Sequence, residues 1–135
     1  MVNLQESLPK ELLRTNRSGA YSCSTIVDCN TRKYHGLLVV PVPELDDENH
    51  VLLSSLDVTV IQHGAEFNLG LHKYQGNNYS PMGHKYIREF DCDKVPTTLY
   101  RVGGVILKKE VVFQHYENRI LIRYTLVDGH SVTTL

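Results

Sequence analysis

Apolar and polar residues alternate along this chain with a period of two, cut at short intervals by turn-forming residues, and that pattern specifies antiparallel sheet. The alternation is cleanest near the C-terminal end. There Ile120, Ile122, Tyr124 and Leu126 interleave with Arg119, Leu121, Arg123 and Thr125, and successive strand side chains point to opposite faces. A half-buried strand is the expectation. Before it, Val105, Leu107, Val111 and Phe113 share a face with one intruder, Lys109, and Tyr116, Glu117 and Asn118 link the two strands. Residues 97–102 run into Gly103-Gly104, a pair that reaches positive φ without steric cost and suits a two-residue hairpin turn. Three strands therefore form a meander.

The middle of the chain repeats the pattern. Leu56, Val58 and Val60 face one way, His63-Gly64-Ala65 turns, and the chain returns through Phe67 and Leu69. Residues 36–42 are almost continuously apolar, which predicts a central strand covered on both faces. Residues 44–49 read as an acidic loop, residues 71–82 as an irregular segment, and residues 9–14 as a short helix with Pro9 at an early position. Asp128-Gly129-His130 signals a turn into a β-prone segment, 131–135, that stops with the chain. An unfinished sheet there would leave an edge open to a second copy, as in a homodimer. No repeat or linker divides residues 1–135, so one β-sandwich domain is expected.

Charge and cysteine content exclude several classes. The net charge of -1 gives no long-range attraction to nucleic acid or to an anionic membrane. Cys23, Cys29 and Cys92 form no paired motif, so free thiols in a reducing, cytoplasmic setting are expected. Glu6, Lys10, Glu11 and Arg14 interrupt the opening residues, and no apolar run approaches the roughly 20 residues that span a bilayer.

Catalytic constellations are sparse. Seven histidines, His35, His50, His63, His72, His84, His115 and His130, lack the close pairing of metal sites, so no metal is expected. Neither a phosphate loop nor a dinucleotide fingerprint occurs, so no cofactor is expected either. Glu89, Asp91 and Asp93 would share one strand face, where neighbouring carboxylates form a solvated rim more often than a glycosidase pair.

One segment concentrates recognition chemistry. Asn30, Arg32, Tyr34 and His35 lie just before the apolar strand and combine multidentate hydrogen bonding with an aromatic face, which is what sugar hydroxyls and ring C–H surfaces require. The same residues would equally serve as a turn, an ion pair and strand caps.

Residues 15–21, TNRSGAY, and residues 30–39, NTRKYHGLLV, resemble the opening of the N-terminal domain of bacterial and archaeal glycogen debranching enzymes (amylo-alpha-1,6-glucosidases). The likeness continues through 52–57 (LLSSLD), 86–90 (YIREF), 100–104 (YRVGG) and Glu117-Asn118. One departure is Arg17-Ser18-Gly19-Ala20, where the family carries more glycine.

The resemblance implies a supersandwich of the galactose-mutarotase type, here an incomplete piece, set before an (α/α)6 toroid that holds the hydrolytic carboxylates. It thereby implies a non-catalytic accessory domain of glycogen metabolism. Such a domain would bind α-glucan, as glycogen or maltooligosaccharide, or shape the active-site entrance; the alternative is a structural interdomain or oligomerisation module. A lesser alternative is mutarotase-like chemistry with His35 as acid and Glu66 or Glu89 as base.

Overall fold

A computed structural model describes residues 2–135. A four-residue helix, α1 (Leu4–Ser7), opens the chain, and the Asn3 side chain caps it by accepting from the Gln5 amide at 3.0 Å. Most of the other regular structure is antiparallel sheet, with two short 3-10 turns at Gln75–Asn77 and Gly83–Tyr86. Strands β1 (Glu11–Thr15), β2 (Tyr21–Thr25), β3 (Gly36–Pro41) and β4 (Asn49–Leu53) form the first sheet in sequence order. Two hairpins follow, β5 (Thr59–Gln62) with β6 (Ala65–Asn68), and β7 (His72–Tyr74) with β8 (Asn78–Ser80). Strands β9 (Ile87–Asp91), β10 (Thr97–Val102), β11 (Val105–Phe113) and β12 (Ile120–Asp128) form the second sheet, again in sequence order.

The two sheets face each other as a β-sandwich. Leu12, Arg14, Ser22 and Ser24 of the first line the same interior space as Phe90, Thr98, Lys109, Val111 and Phe113 of the second. Alternation puts the opposite set of first-sheet residues, Glu11, Leu13, Thr15, Tyr21 and Cys23, on the outer face. The main core lies beside this interface. Val60, Leu71, Ile87, Val102, Val105 and Leu107 are among its buried members, with Val27, Leu69, Cys29 and Tyr100. Burying a side chain such as Leu107 contributes about 2 kcal/mol.

The expected strands β3, β5, β6 and β10 to β12 are all present. Gly103 and Gly104 adopt φ of 56° and 84°, the left-handed pair that the hairpin needs. Lys109, the intruder on an apolar face, is 4% exposed and forms an ion pair with Asp28 from the turn after β2. Burial alone would lower its pKa, but the Asp28 carboxylate outweighs this and raises it.

Four expectations need correction, the first being residues 71–82, which are not irregular throughout but hold the β7–β8 hairpin. Residues 9–14 are not helical: Glu11–Thr15 is an edge strand whose exposure alternates, because backbone pairing with β2 overrides a weak local helix preference. Asp93 does not share a strand with Glu89 and Asp91; β9 ends at Asp91, whose carboxylate accepts from the Asp93 amide at 3.3 Å. The segment 131–135 is not the start of a strand. Thr134 alone bridges Ile61 on β5, through amide-to-carbonyl bonds of 2.9 and 3.0 Å. Among the described residues, no helix is long and apolar enough to cross a membrane.

The glycine-poor stretch of the β1–β2 turn has a visible consequence. Arg17 adopts φ of 65°, a left-handed conformation that costs a residue with a Cβ about 1–2 kcal/mol. Glycine there removes that cost but enlarges the unfolded ensemble. An Arg17→Gly variant should therefore be about 0.5 kcal/mol more stable, read as a rise in urea midpoint at constant slope.

Candidate functional site

Three of the four residues singled out in 30–35 converge on a carboxylate that sequence reading had placed in a helix. Glu11, at the start of β1, accepts from Arg32 Nε at 2.6 Å, from Tyr34 Oη at 3.2 Å and from His35 Nε2 at 3.0 Å. The loop between β2 and β3 brings these donors across the outer face of the first sheet. Gly36 then leads into β3 beneath them, and only glycine fits there: a Cβ would lie 2.8 Å from Val39 Cγ2 and 3.1 Å from Val51 Cγ1.

His35 organises the loop. Its side chain is fully buried, and its Nδ1 accepts from the Thr31 amide at 2.9 Å and the Arg32 amide at 3.3 Å. With Nδ1 accepting, the ring hydrogen sits on Nε2 and points at Glu11. Burial would raise the Glu11 carboxyl, but bonds from His35, Arg32 and Tyr34 hold it below its ordinary value. Tyr34 packs edge-on to the His35 ring at 5.1 Å, with its own side chain half exposed.

Asn30 stands apart from this cluster. Its Oδ1 accepts from Ser24 Oγ at 2.8 Å, and its Nδ2 donates to the Ser54 carbonyl at 2.9 Å and to Ser54 Oγ at 3.2 Å. It ties β2 to the exit of β4. Neither Glu66 nor Glu89 is bonded to His35. Glu66 pairs opposite Ile61 on β6 and Glu89 opposite Leu99 on β9, so the acid–base pairs considered for a mutarotase-like reaction are not assembled.

Beside the cluster runs an open groove of about 790 Å³, lined by Glu11, Leu13, Thr15, Arg17, Gly19, Ala20, Tyr21, Cys23 and Tyr34. Its floor is largely apolar. Tyr21 Oη donates to the Tyr34 carbonyl at 3.0 Å and Tyr34 Oη to Glu11 at 3.2 Å, so both phenol rings that line it are fixed. Glu11 is the one carboxylate among the lining residues. A glycosidase needs two, separated by about 5–10 Å.

Glu11, Cys23 and His35 also bring ligand-type atoms within 4.8 Å of one another. The geometry does not suit a cation. Burial first, and the Glu11 charge second, push the Cys23 thiol up toward its protonated form. A metal on His35 Nε2 would also require the ring hydrogen to move to Nδ1, which faces two amide donors. Glu11 and His35 instead form a hydrogen-bonded network that fixes Arg32 and Tyr34.

Glu11 carried no local signal, because its partners lie 21 to 24 residues away. An alternating reading of 11–15 would have placed it on the outer face with Leu13 and Thr15. Comparison with curated proteins and with solved structures gave no match. The sequence model of the family described as "Glycogen debranching enzyme N terminal" matches residues 10–135. That span contains both the groove and the loop that fixes Arg32, Tyr34 and His35, and the chain belongs to the glycogen debranching enzyme N-terminal family.

Proposed function

We propose that this chain is an accessory domain that holds α-glucan on the outer face of its first sheet, in support of α-1,6 branch hydrolysis by a separate catalytic domain. The observation that carries the reading is the groove lined by two fixed phenol rings, Tyr21 and Tyr34, and by Glu11, which holds the Arg32 guanidinium. Sugar rings present C–H faces to aromatics and hydroxyls to charged planar groups, and here both are positioned before any ligand arrives. A lone carboxylate engaged by three donors supports binding over bond cleavage. The second reading, a surface that docks against a neighbouring domain, is favoured by Leu13, which is 59% exposed on the groove floor.

Isothermal titration with maltoheptaose distinguishes these readings. Glucan binding predicts saturable heat at millimolar sugar, with Tyr34→Ala and Arg32→Ala each weakening affinity by about fivefold, the equivalent of roughly 1 kcal/mol. Absence of saturable heat from the parent chain overturns the glucan reading and leaves the docking surface.

A further inference from the structure

We propose that the hollow beside the Gly103-Gly104 turn is a binding site for a phosphate monoester, separate from the glucan groove and independent of that reading. Lys85, Arg88 and Arg101, with Val102, Gly103 and Gly104, line a shallow depression of about 330 Å³, and none of these lining residues is acidic. Lys85 comes from the 3-10 turn Gly83–Tyr86, Arg88 from β9 and Arg101 from β10.

The concentration of charge is not explained by internal pairing. Arg32, Lys108, Lys109, Arg119 and Arg123 each meet a carboxylate. Among the described residues, Lys85, Arg88 and Arg101 form no ion pair and no side-chain hydrogen bond. Lys85 rests over the Tyr86 ring, its Nζ 5.0 Å from the centroid, which fixes the stem of the side chain. Three like charges repel one another, and a chain of net charge -1 has acids to spare, so leaving this group without a counter-charge is a cost that a bound anion removes.

Local backbone irregularity places one of the three. On β9 the pairing passes from Leu99↔Glu89 to Tyr100↔Ile87, so Arg88 is the extra residue of a β-bulge. In a regular ladder Arg88 would lie opposite Tyr100 and share its buried face. The bulge instead seats Ile87 there, 2% exposed, and leaves Arg88 on the rim. The hairpin turn completes the hollow. Its ladder closes at Val102↔Val105, leaving the Gly103 and Gly104 amides outside it, and a Cβ built on Gly104 meets no atom within 4 Å. A Cβ on Gly103 would instead meet Gln62 and Phe67, so a ligand can approach the backbone closely on the Gly104 side of the turn.

Charge and shape select the ligand class. A phosphate monoester carries about -1.5 to -2 charges at neutral pH and three acceptor oxygens, which two guanidinium forks, an ammonium and backbone amides can share. A carboxylate would be met by one arginine and leave the other two cations unmatched.

The test titrates the 135-residue chain with inorganic phosphate and with glucose 6-phosphate in about 0.1 M NaCl, where exposed charges beyond about 10 Å are screened. Amide NMR shifts provide the readout. Saturable shifts at Gly103 and Gly104 are expected, with Arg88→Gln and Arg101→Gln each weakening binding by about tenfold. Lys10→Gln, which changes net charge equally on the loop before β1, should alter it less than about twofold. Glucose 6-phosphate binding at least as well as inorganic phosphate supports the monoester; binding of inorganic phosphate alone overturns the monoester in favour of the free anion. Three results overturn the site: no saturation by about 20 mM of either, affinity unchanged in the arginine variants, or Lys10→Gln weakening binding as much as they do.

Discussion

An Asp28→Ala variant unfolds about 3 kcal/mol more readily than the parent chain, whereas Lys109→Met stays within about 1 kcal/mol of it. Lys109 lies between the sheets at 4% exposure, and Asp28 supplies its counter-charge. Removing the carboxylate strands an ammonium among Tyr100, Tyr124 and Leu37 with little access to water. Removing the ammonium instead leaves Asp28 with 40% of its side chain in solvent, and methionine fills the same volume without charge. That solvent exposure sets the estimate for Asp28→Ala at the low end of the usual range for a broken buried pair. Urea unfolding of the two variants measures the asymmetry. Equal losses would mean that the pair stabilises through packing alone. The pair acts through neutral pH: the folded Lys109 pKa lies above the ordinary 10.5, so its contribution is complete below that value and lost only in stronger alkali.

Asn16→Ala is expected to cost about 3 kcal/mol, or roughly 10 °C in Tm. Asn16 is fully buried, and every hydrogen-bonding group of its side chain is used. Its Oδ1 accepts from the Ser18 and Ala20 amides at 2.9 and 3.1 Å, which shapes the β1–β2 turn. Its Nδ2 donates to the Glu117 carbonyl at 3.0 Å and to Asn118 Oδ1 at 3.3 Å, in the turn between β11 and β12. One residue thus fastens a turn of the first sheet to a turn of the second. Alanine removes these bonds and leaves the buried Ala20 amide without a partner, a larger cost than the bond itself. Asn16→Asp keeps the acceptors but sets a carboxylate against the Glu117 carbonyl, so it should not restore stability. A thermal melt in which either variant matches the parent would show that solvent satisfies these groups.

The strands most legible in the sequence were those with a local signature. The alternation at 105–113, the Gly103-Gly104 turn and the apolar run opening at Gly36 each fix an element with no reference to distant residues. What escaped reading depends on partners far along the chain. Edge strand β1 is held by its pairing with β2, and the β7–β8 hairpin is buried in a stretch of Gly, Asn, Tyr and Pro that carries no period. The recognition segment was found by its residue types, but its grouping was not. Asn30 separates from Arg32, Tyr34 and His35 because its amide reaches Ser54, while the other three reach Glu11. Likewise Lys109 looked like a defect in an apolar face until Asp28, 81 residues earlier, came into contact with it.

Every strand in both four-stranded sheets pairs only with its neighbours in sequence, and this has a kinetic consequence. Hairpins of that kind close short loops and form within microseconds, so each sheet can assemble on its own chain segment. Bringing the sheets together requires contacts such as that between Asn16 and Glu117, 101 residues apart, whose loop-closure entropy is met last. The fasteners at Asn16 and Asp28–Lys109 are then expected to form after the rate-limiting step. Their loss shows in how quickly the native sandwich comes apart, and leaves the speed at which it forms almost unchanged.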